Sequence, residues 1–145
     1  MGKINWGRVL AGGLLAGVVL NLLDWLVNDV WLMDTWSAAM QALPNARVTT
    51  GGGVIAWFVV TDLLYGIFLV WLYAAIRPRY GPGPKTALYA GLATWVAVGC
   101  LHAMGEAPVR LLPQRLYLLT TLAALGIFPL AAVVGAWAYR EERSA

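Results

Sequence analysis

Residues 116–139, LYLLTTLAALGIFPLAAVVGAWAY, decide the fold class because they form a long apolar run without a charged side chain. A transmembrane α-helix needs about 20 consecutive, mostly apolar residues. Residues 6–27, 54–76 and 86–104 meet the same requirement. The sequence therefore predicts an all-α membrane protein with four transmembrane helices packed as a bundle.

The composition of the whole chain agrees with this prediction. The 145 residues are 61% hydrophobic and 12% charged, whereas about 25% of the residues of a soluble domain are charged. A chain this short cannot bury so much apolar surface, which excludes a soluble enzyme, a disordered chain and a nucleic-acid binder. We expect one transmembrane domain over residues 1–145. The single cysteine cannot form an intramolecular disulfide or a multi-thiolate metal site, and the single histidine excludes haem held by two histidines of the chain. We expect no cofactor.

The basic residues predict the orientation of the chain. Cytoplasmic connections of membrane proteins carry an excess of Lys and Arg. Seven basic residues lie on one predicted side of the membrane and three on the other. We therefore place both termini in the cytoplasm and read the first apolar run as an uncleaved span. The cytoplasmic set is Lys3, Arg8, Arg77, Arg79, Lys85, Arg140 and Arg143, and the opposite set is Arg47, Arg110 and Arg115.

The connection between the first two spans contains a candidate interfacial helix at about residues 34–43. Apolar residues recur there at helical spacing, Asp34 or Thr35 can cap the helix, and Trp31 and Trp36 suit a membrane interface. We expect a surface anchor, with a lid over a site as the alternative. In contrast, the proline- and glycine-rich connection at residues 77–85 predicts a tight hairpin between the second and third spans.

Small residues predict how the spans pack. Lipid gives no hydrophobic reward for helix association, so close contact at small residues must provide it. Spans two and four also share the string Gly-Ile-Phe, at residues 66–68 and 126–128, which hints at an internal duplication. The candidate packing residues are Gly13, Gly17, Gly66, Gly91 and Gly135.

Polar residues concentrate toward the outer ends of the predicted spans. An α-helix turns by about 100° per residue, so Asn21 and Asp24 lie on the same face of span one as its glycines. Because Asn and Asp side chains that face lipid would be costly, we expect this face to point into the bundle. The polar residues of the four spans lie at similar depths in the predicted membrane, which predicts that they form one outer polar cluster. Its candidate members are Asn21, Asp24, Asp62, Tyr65, His102, Glu106, Arg110 and Arg115.

Three interpretations of this cluster remain open. In the first, Arg110 or Arg115 neutralises Asp62 or Glu106 in an ion-paired cap, because a carboxylate in lipid must be paired or protonated. In the second, Asp62 and His102 belong to a binding or translocation path for a small solute, an ion or a proton. In the third, the cluster holds a metal ion. The possible ligands are Asp24, Asp62, His102 and Glu106.

Residues 4–13, 62–67, 71–85 and 102–108 together resemble a family of small four-span integral membrane proteins of bacteria. The resemblance implies a location in the bacterial cytoplasmic membrane and brings no activity with it. We expect a non-enzymatic protein that acts by association, as a homo-oligomer or as an accessory subunit of a larger membrane complex. Its expected partners are membrane lipid and other membrane subunits, and nucleic acid is not among them. The alternatives are a small-solute or ion carrier and, third, a membrane metal-site protein.

Overall fold

The computed structural model describes residues 4–43 and 52–139. This part of the chain is almost entirely helical, without a β-strand, and four of its helical segments are long and apolar enough to cross a membrane. The predicted all-α four-span bundle is therefore confirmed. The predictions at Lys3, Arg47, Arg140 and Arg143 lie outside the described residues.

The first span begins with α1, Trp6–Trp25, which is N-capped by the Asn5 side chain through a 3.0 Å bond from the Arg8 amide. It continues through a π-helical segment, Leu26–Trp31, before α2, Met33–Gln41. Neither Asp34 nor Thr35 caps α2, because the helix already begins at Met33 and places both residues within its first turn.

The second span is α3, Gly52–Tyr80, which continues through Pro78. The hairpin prediction placed a helix break in residues 77–85, but the connection consists only of residues 81–83. Pro78 lacks a backbone N–H and so removes one helical hydrogen bond. Because it lies near the end of α3, this loss disrupts little of the helix. Gly81 and Gly83 have positive φ angles of 81° and 127°, and such a conformation favours glycine.

The third span begins with α4, Pro84–Thr94, and passes through a second π-helical segment, Trp95–Cys100. It ends with α5, Leu101–Glu106, and a 3₁₀ turn, Ala107–Val109. The fourth span is α6, Gln114–Ala138, directly after Pro113. These helices extend beyond predicted spans two and three at both ends, since helical hydrogen bonding continues where hydropathy falls.

The four spans form a ring in which α1 packs against α3 and α6, and α4 packs against α6 and α3. We call the end of the bundle that carries α2 the α2 end, and the opposite end the hairpin end. The core is made largely of alanine and other small or aliphatic side chains, which permits close helix approach. It includes Val9, Ala16, Leu69, Val70, Ala87, Ala90, Ala131 and Ala132.

At the hairpin end, tyrosines tie the bundle together. The Gly83 amide donates to the Tyr73 hydroxyl at 3.2 Å, and the Asn5 amide donates to the Tyr139 hydroxyl at 3.3 Å. The two rings meet edge to face with their centroids 5.9 Å apart. The Arg77 guanidinium lies 5.7 Å from the centroid of Tyr139. These contacts fix the ends of α1, α3 and α6 relative to one another.

Candidate functional site

Glycines on α1 bring its backbone against two neighbouring helices. A Cβ added at Gly13 would lie 2.5 Å from the Ile67 Cα, and one at Gly17 would lie 2.6 Å from the Leu63 Cα. From the α3 side, a Cβ at Gly66 would meet the carbonyl oxygen of Gly13 and the amide nitrogen of Gly17. The α1–α3 contact is thus a direct backbone contact.

The other two candidate packing glycines lie against different partners. A Cβ at Gly135 would lie 2.9 Å from the carbonyl oxygen of Gly12, which places it in the α1–α6 contact. Gly91 of α4 lies against the backbone of Pro129 in α6. Gly126, by contrast, is exposed and has no such neighbour within 4 Å. The shared Gly-Ile-Phe strings therefore have different surroundings, which gives the hinted duplication no support at this glycine.

Asn21, Asp24 and Asp62 lie together between α1 and α3 in the half of the bundle nearer α2. The Asn21 side-chain amide donates to the Gly17 carbonyl at 3.0 Å and, across the helix interface, to the Val59 carbonyl at 3.3 Å. Asp24 lies within electrostatic range of Asp62. Within residues 4–43 and 52–139, neither carboxylate accepts a hydrogen bond or forms an ion pair.

Tyr65 lies one turn further along α3 and faces a different helix. Its ring meets Phe128 of α6 edge to face, with the centroids 5.8 Å apart and an angle of 82° between the ring planes. Edge-to-face contacts of this kind stabilise helix packing beyond simple burial. Tyr65 is therefore placed in the α3–α6 packing.

His102 and Glu106 form a separate group at the end of the third span. His102 Nε2 lies 3.4 Å from Glu106 Oε1, and the Tyr117 hydroxyl donates to Glu106 Oε2 at 3.2 Å. The side chains of His102 and Glu106 are 66% and 46% exposed. This group links the third span to the beginning of α6.

Arg110 and Arg115 are exposed residues on either side of the start of α6. Neither forms an ion pair with any carboxylate of the described chain. The ion-paired cap in which an arginine neutralises Asp62 or Glu106 is therefore not observed. Sequence position gives the depth of a charge along its helix but not the direction in which it faces.

No hydrogen bond or ion pair joins Asp24 or Asp62 to His102, Glu106, Arg110 or Arg115 in the described part of the chain. The described residues contain no group of three or more His, Cys, Asp or Glu side chains suited to a metal ion. Asp24 and Asp62 lie on the first two spans, whereas His102 and Glu106 pair with each other on the third. The proposed four-ligand metal set therefore has no geometric support.

Two tryptophan hydrogen bonds could not be predicted from the sequence. Trp36 Nε1 donates to Asn28 Oδ1 at 3.0 Å and fixes α2 to the π-helical end of span one. Trp95 Nε1 donates to the Thr121 carbonyl at 2.8 Å and joins spans three and four. The only signal in the sequence was the presence of the two indoles, since an indole N–H away from water usually has a hydrogen-bond partner; the sequence does not indicate which carbonyl or amide accepts the bond.

The α3 face that carries Asp62 is covered at the hairpin end and open at the α2 end. Ile55, Phe58, Asp62 and Leu69 share this face at helical spacing. Leu69 is fully buried in the bundle, yet Ile55 and Phe58 are 66% and 64% exposed. All residues from 52 to 60 are exposed. The described helices therefore leave this surface of α3 uncovered at Ile55 and Phe58, up to the half-buried Asp62 at its edge. We call this surface the open α3 face (Ile55, Phe58 and Asp62).

Comparisons with protein-family models, with curated proteins and with solved structures gave no match to this chain. The resemblance to a family of small bacterial four-span proteins remains an expectation from the sequence.

Proposed function

We propose that this protein is a non-enzymatic membrane protein that acts by association, as a homo-oligomer or as an accessory subunit of a larger membrane complex. The observation that supports the proposal is the open α3 face. This face lies on the same side of α3 as Leu69, which is buried in the bundle. Ile55 and Phe58, however, are largely exposed within the described chain. A helix from another subunit would complete the packing there.

The carboxylates at the edge of the open α3 face favour such a partner. Asp62 and the adjacent Asp24 lie on apolar spans without a described cation or hydrogen-bond donor. Placing a charged group in the hydrocarbon region of a membrane costs on the order of several kcal/mol. Such groups therefore typically pair with an opposite charge or face the interior of a helix bundle. A neighbouring subunit that supplies donors at this depth would offset that cost.

Association can be tested by comparing two exposed apolar positions on different helices. Phe58 lies on the open α3 face, and Leu130 is 57% exposed on α6. We expect Phe58→Ala to reduce recovery of a second, differently tagged copy or of a stoichiometric membrane subunit from mild detergent. Leu130→Ala should leave recovery unchanged. Equal recovery for wild type and both variants would contradict the proposal.

A small-solute, ion or proton carrier is the second candidate, and the proximity of Asp24 to Asp62 favours it. Two carboxylates within electrostatic range of each other favour the uptake of a proton or a cation. In proteoliposomes, this function requires a pH-dependent flux that Asp62→Asn abolishes. Asp34→Asn, at an exposed position of α2, is the matched control. Such a flux would replace association as the main function.

We further propose the bacterial cytoplasmic membrane as the location, with the hairpin end in the cytoplasm. Arg8, Arg77, Arg79 and Lys85 belong to the hairpin end, while Arg110 and Arg115 belong to the α2 end. This asymmetry matches the excess of basic residues on cytoplasmic connections.

A further inference from the structure

A groove lies at the α2 end, apart from the open α3 face. One wall is formed by Ala39, Ala42 and Leu43 at the end of α2, and the other by residues 110–114, which lead into α6. Its volume is about 600 Å³. Such a volume can accommodate a lipid headgroup with the first part of its acyl chains, as small-molecule sites of about 300–1,000 Å³ accommodate ligands.

Among the described residues, the lining of the groove combines apolar side chains with a single charged one. Leu43, Leu111 and Leu112 provide apolar surface, while Arg110 provides a guanidinium and Gln114 an amide. None of the described lining residues is acidic, and Arg110 forms no ion pair within the described chain. The groove therefore complements a ligand that is anionic at one end and apolar at the other.

The surroundings of the groove place it at the level of lipid headgroups. It lies between the end of α2 and the beginning of a membrane-spanning helix, α6. Trp36 of α2 packs nearby on a small core of Leu32, Ala39 and Leu116. Tryptophan is enriched at the membrane–water interface because its ring is apolar and its N–H is polar.

We propose that this groove binds an anionic phospholipid, with its phosphate at Arg110 and the beginning of its acyl chains along Leu111 and Leu112. Guanidinium groups recognise phosphate through charge-assisted hydrogen bonds. The apolar walls favour the lipid over free phosphate, which would leave them unused. This site is independent of the association proposed for the open α3 face.

The test measures binding of dioleoyl phosphatidylglycerol and dioleoyl phosphatidylcholine to the purified full chain by native mass spectrometry. We expect a preference for phosphatidylglycerol that Arg110→Gln weakens about tenfold, the effect of losing roughly 1.4 kcal/mol from a charge-assisted hydrogen bond. Arg79→Gln, which removes an exposed arginine at the hairpin end, should retain the preference. Arg110→Lys should retain part of it.

Two further variants separate loss of binding from loss of folding. Arg110 has a φ angle of 54°, which glycine adopts at little cost, so Arg110→Gly should fold and still lose the preference. Ala42→Trp should fill the groove and weaken binding while keeping Arg110. Equal binding of both lipids, or an unchanged preference in folded Arg110→Gly, would overturn the proposal. Displacement of the lipid by millimolar inorganic phosphate would instead identify a free-anion site and contradict it.

Discussion

The backbone contact between α1 and α3 makes a sharp prediction for Gly66→Ala. The added Cβ would lie against the carbonyl oxygen of Gly13 and the amide nitrogen of Gly17. Cβ atoms added from the opposite side would lie 2.5 and 2.6 Å from Cα atoms of α3, whereas carbon atoms prefer separations of about 3.5–4.0 Å. To accept a methyl group, α1 and α3 must therefore separate by roughly 1 Å.

The expected cost follows from that separation. Inserting a methyl group into a tightly packed contact typically costs about 1–3 kcal/mol. Replacing glycine by alanine within a helix also stabilises the helix by up to about 1 kcal/mol, because alanine has the higher helix propensity. Gly126→Ala carries only this second effect, because Gly126 has no neighbour within 4 Å and begins the same Gly-Ile-Phe string. The difference between the two variants should therefore be about 1–3 kcal/mol.

The assay is reversible unfolding in mixed micelles of increasing sodium dodecyl sulfate content, followed by the fluorescence of the eight tryptophans. Gly66→Ala should unfold at a lower detergent fraction than wild type, and Gly126→Ala should unfold at the same or a higher fraction. If the free energies of unfolding of the two variants agree within about 0.5 kcal/mol, a range typical of unconstrained surface sites, the backbone contact does not hold the two helices as described.

Three other results are expected. Asn21→Leu should lower the free energy of unfolding by about 0.5–1 kcal/mol, because it removes the bond to Val59 between α1 and α3; an unchanged value would contradict this role. Trp95→Phe should cost about 1 kcal/mol through loss of the 2.8 Å bond to Thr121, and equal unfolding to wild type would refute it. In a Cys100→Ser background, Arg79→Cys should react with a membrane-impermeant maleimide only in permeabilised cells. Labelling in intact cells would reverse the proposed orientation.

The existence and type of the four long helices could be predicted from the sequence because lipid exposure requires long apolar segments. The spacing of His102 and Glu106, four residues apart, also placed both side chains on one helix face. Their 3.4 Å pair follows from local geometry alone. The helix ends were less predictable, as α3 shows by continuing through Pro78 to Tyr80.

The arrangement of the polar residues around the bundle could not be predicted in the same way. Asp62 and Arg115 were placed in a common outer layer by depth, yet they form no ion pair in the structure. Which side chains meet depends on the rotation of each helix and on its neighbours, and the sequence of one helix does not specify either. Gly66 and Gly126 illustrate this, since identical local strings occupy a tight contact and an exposed position.

The π-helical segments add a further change that hydropathy does not report. Leu26–Trp31 and Trp95–Cys100 each interrupt an otherwise α-helical span. A π-helical turn contains more residues than an α-helical turn, so it rotates the side chains that follow it. Residues beyond these segments, including His102, therefore face directions that an ideal helical projection does not give.

The central proposal is that another subunit covers the open α3 face. Its most direct test replaces Phe58 with the photoreactive residue p-benzoylphenylalanine and irradiates native membranes, with the same replacement at Leu130 as the control. The account predicts a discrete protein adduct, a dimer or a complex with one other subunit, from position 58 and none from position 130. Lipid adducts alone at position 58, in a protein that unfolds as wild type does, would contradict it.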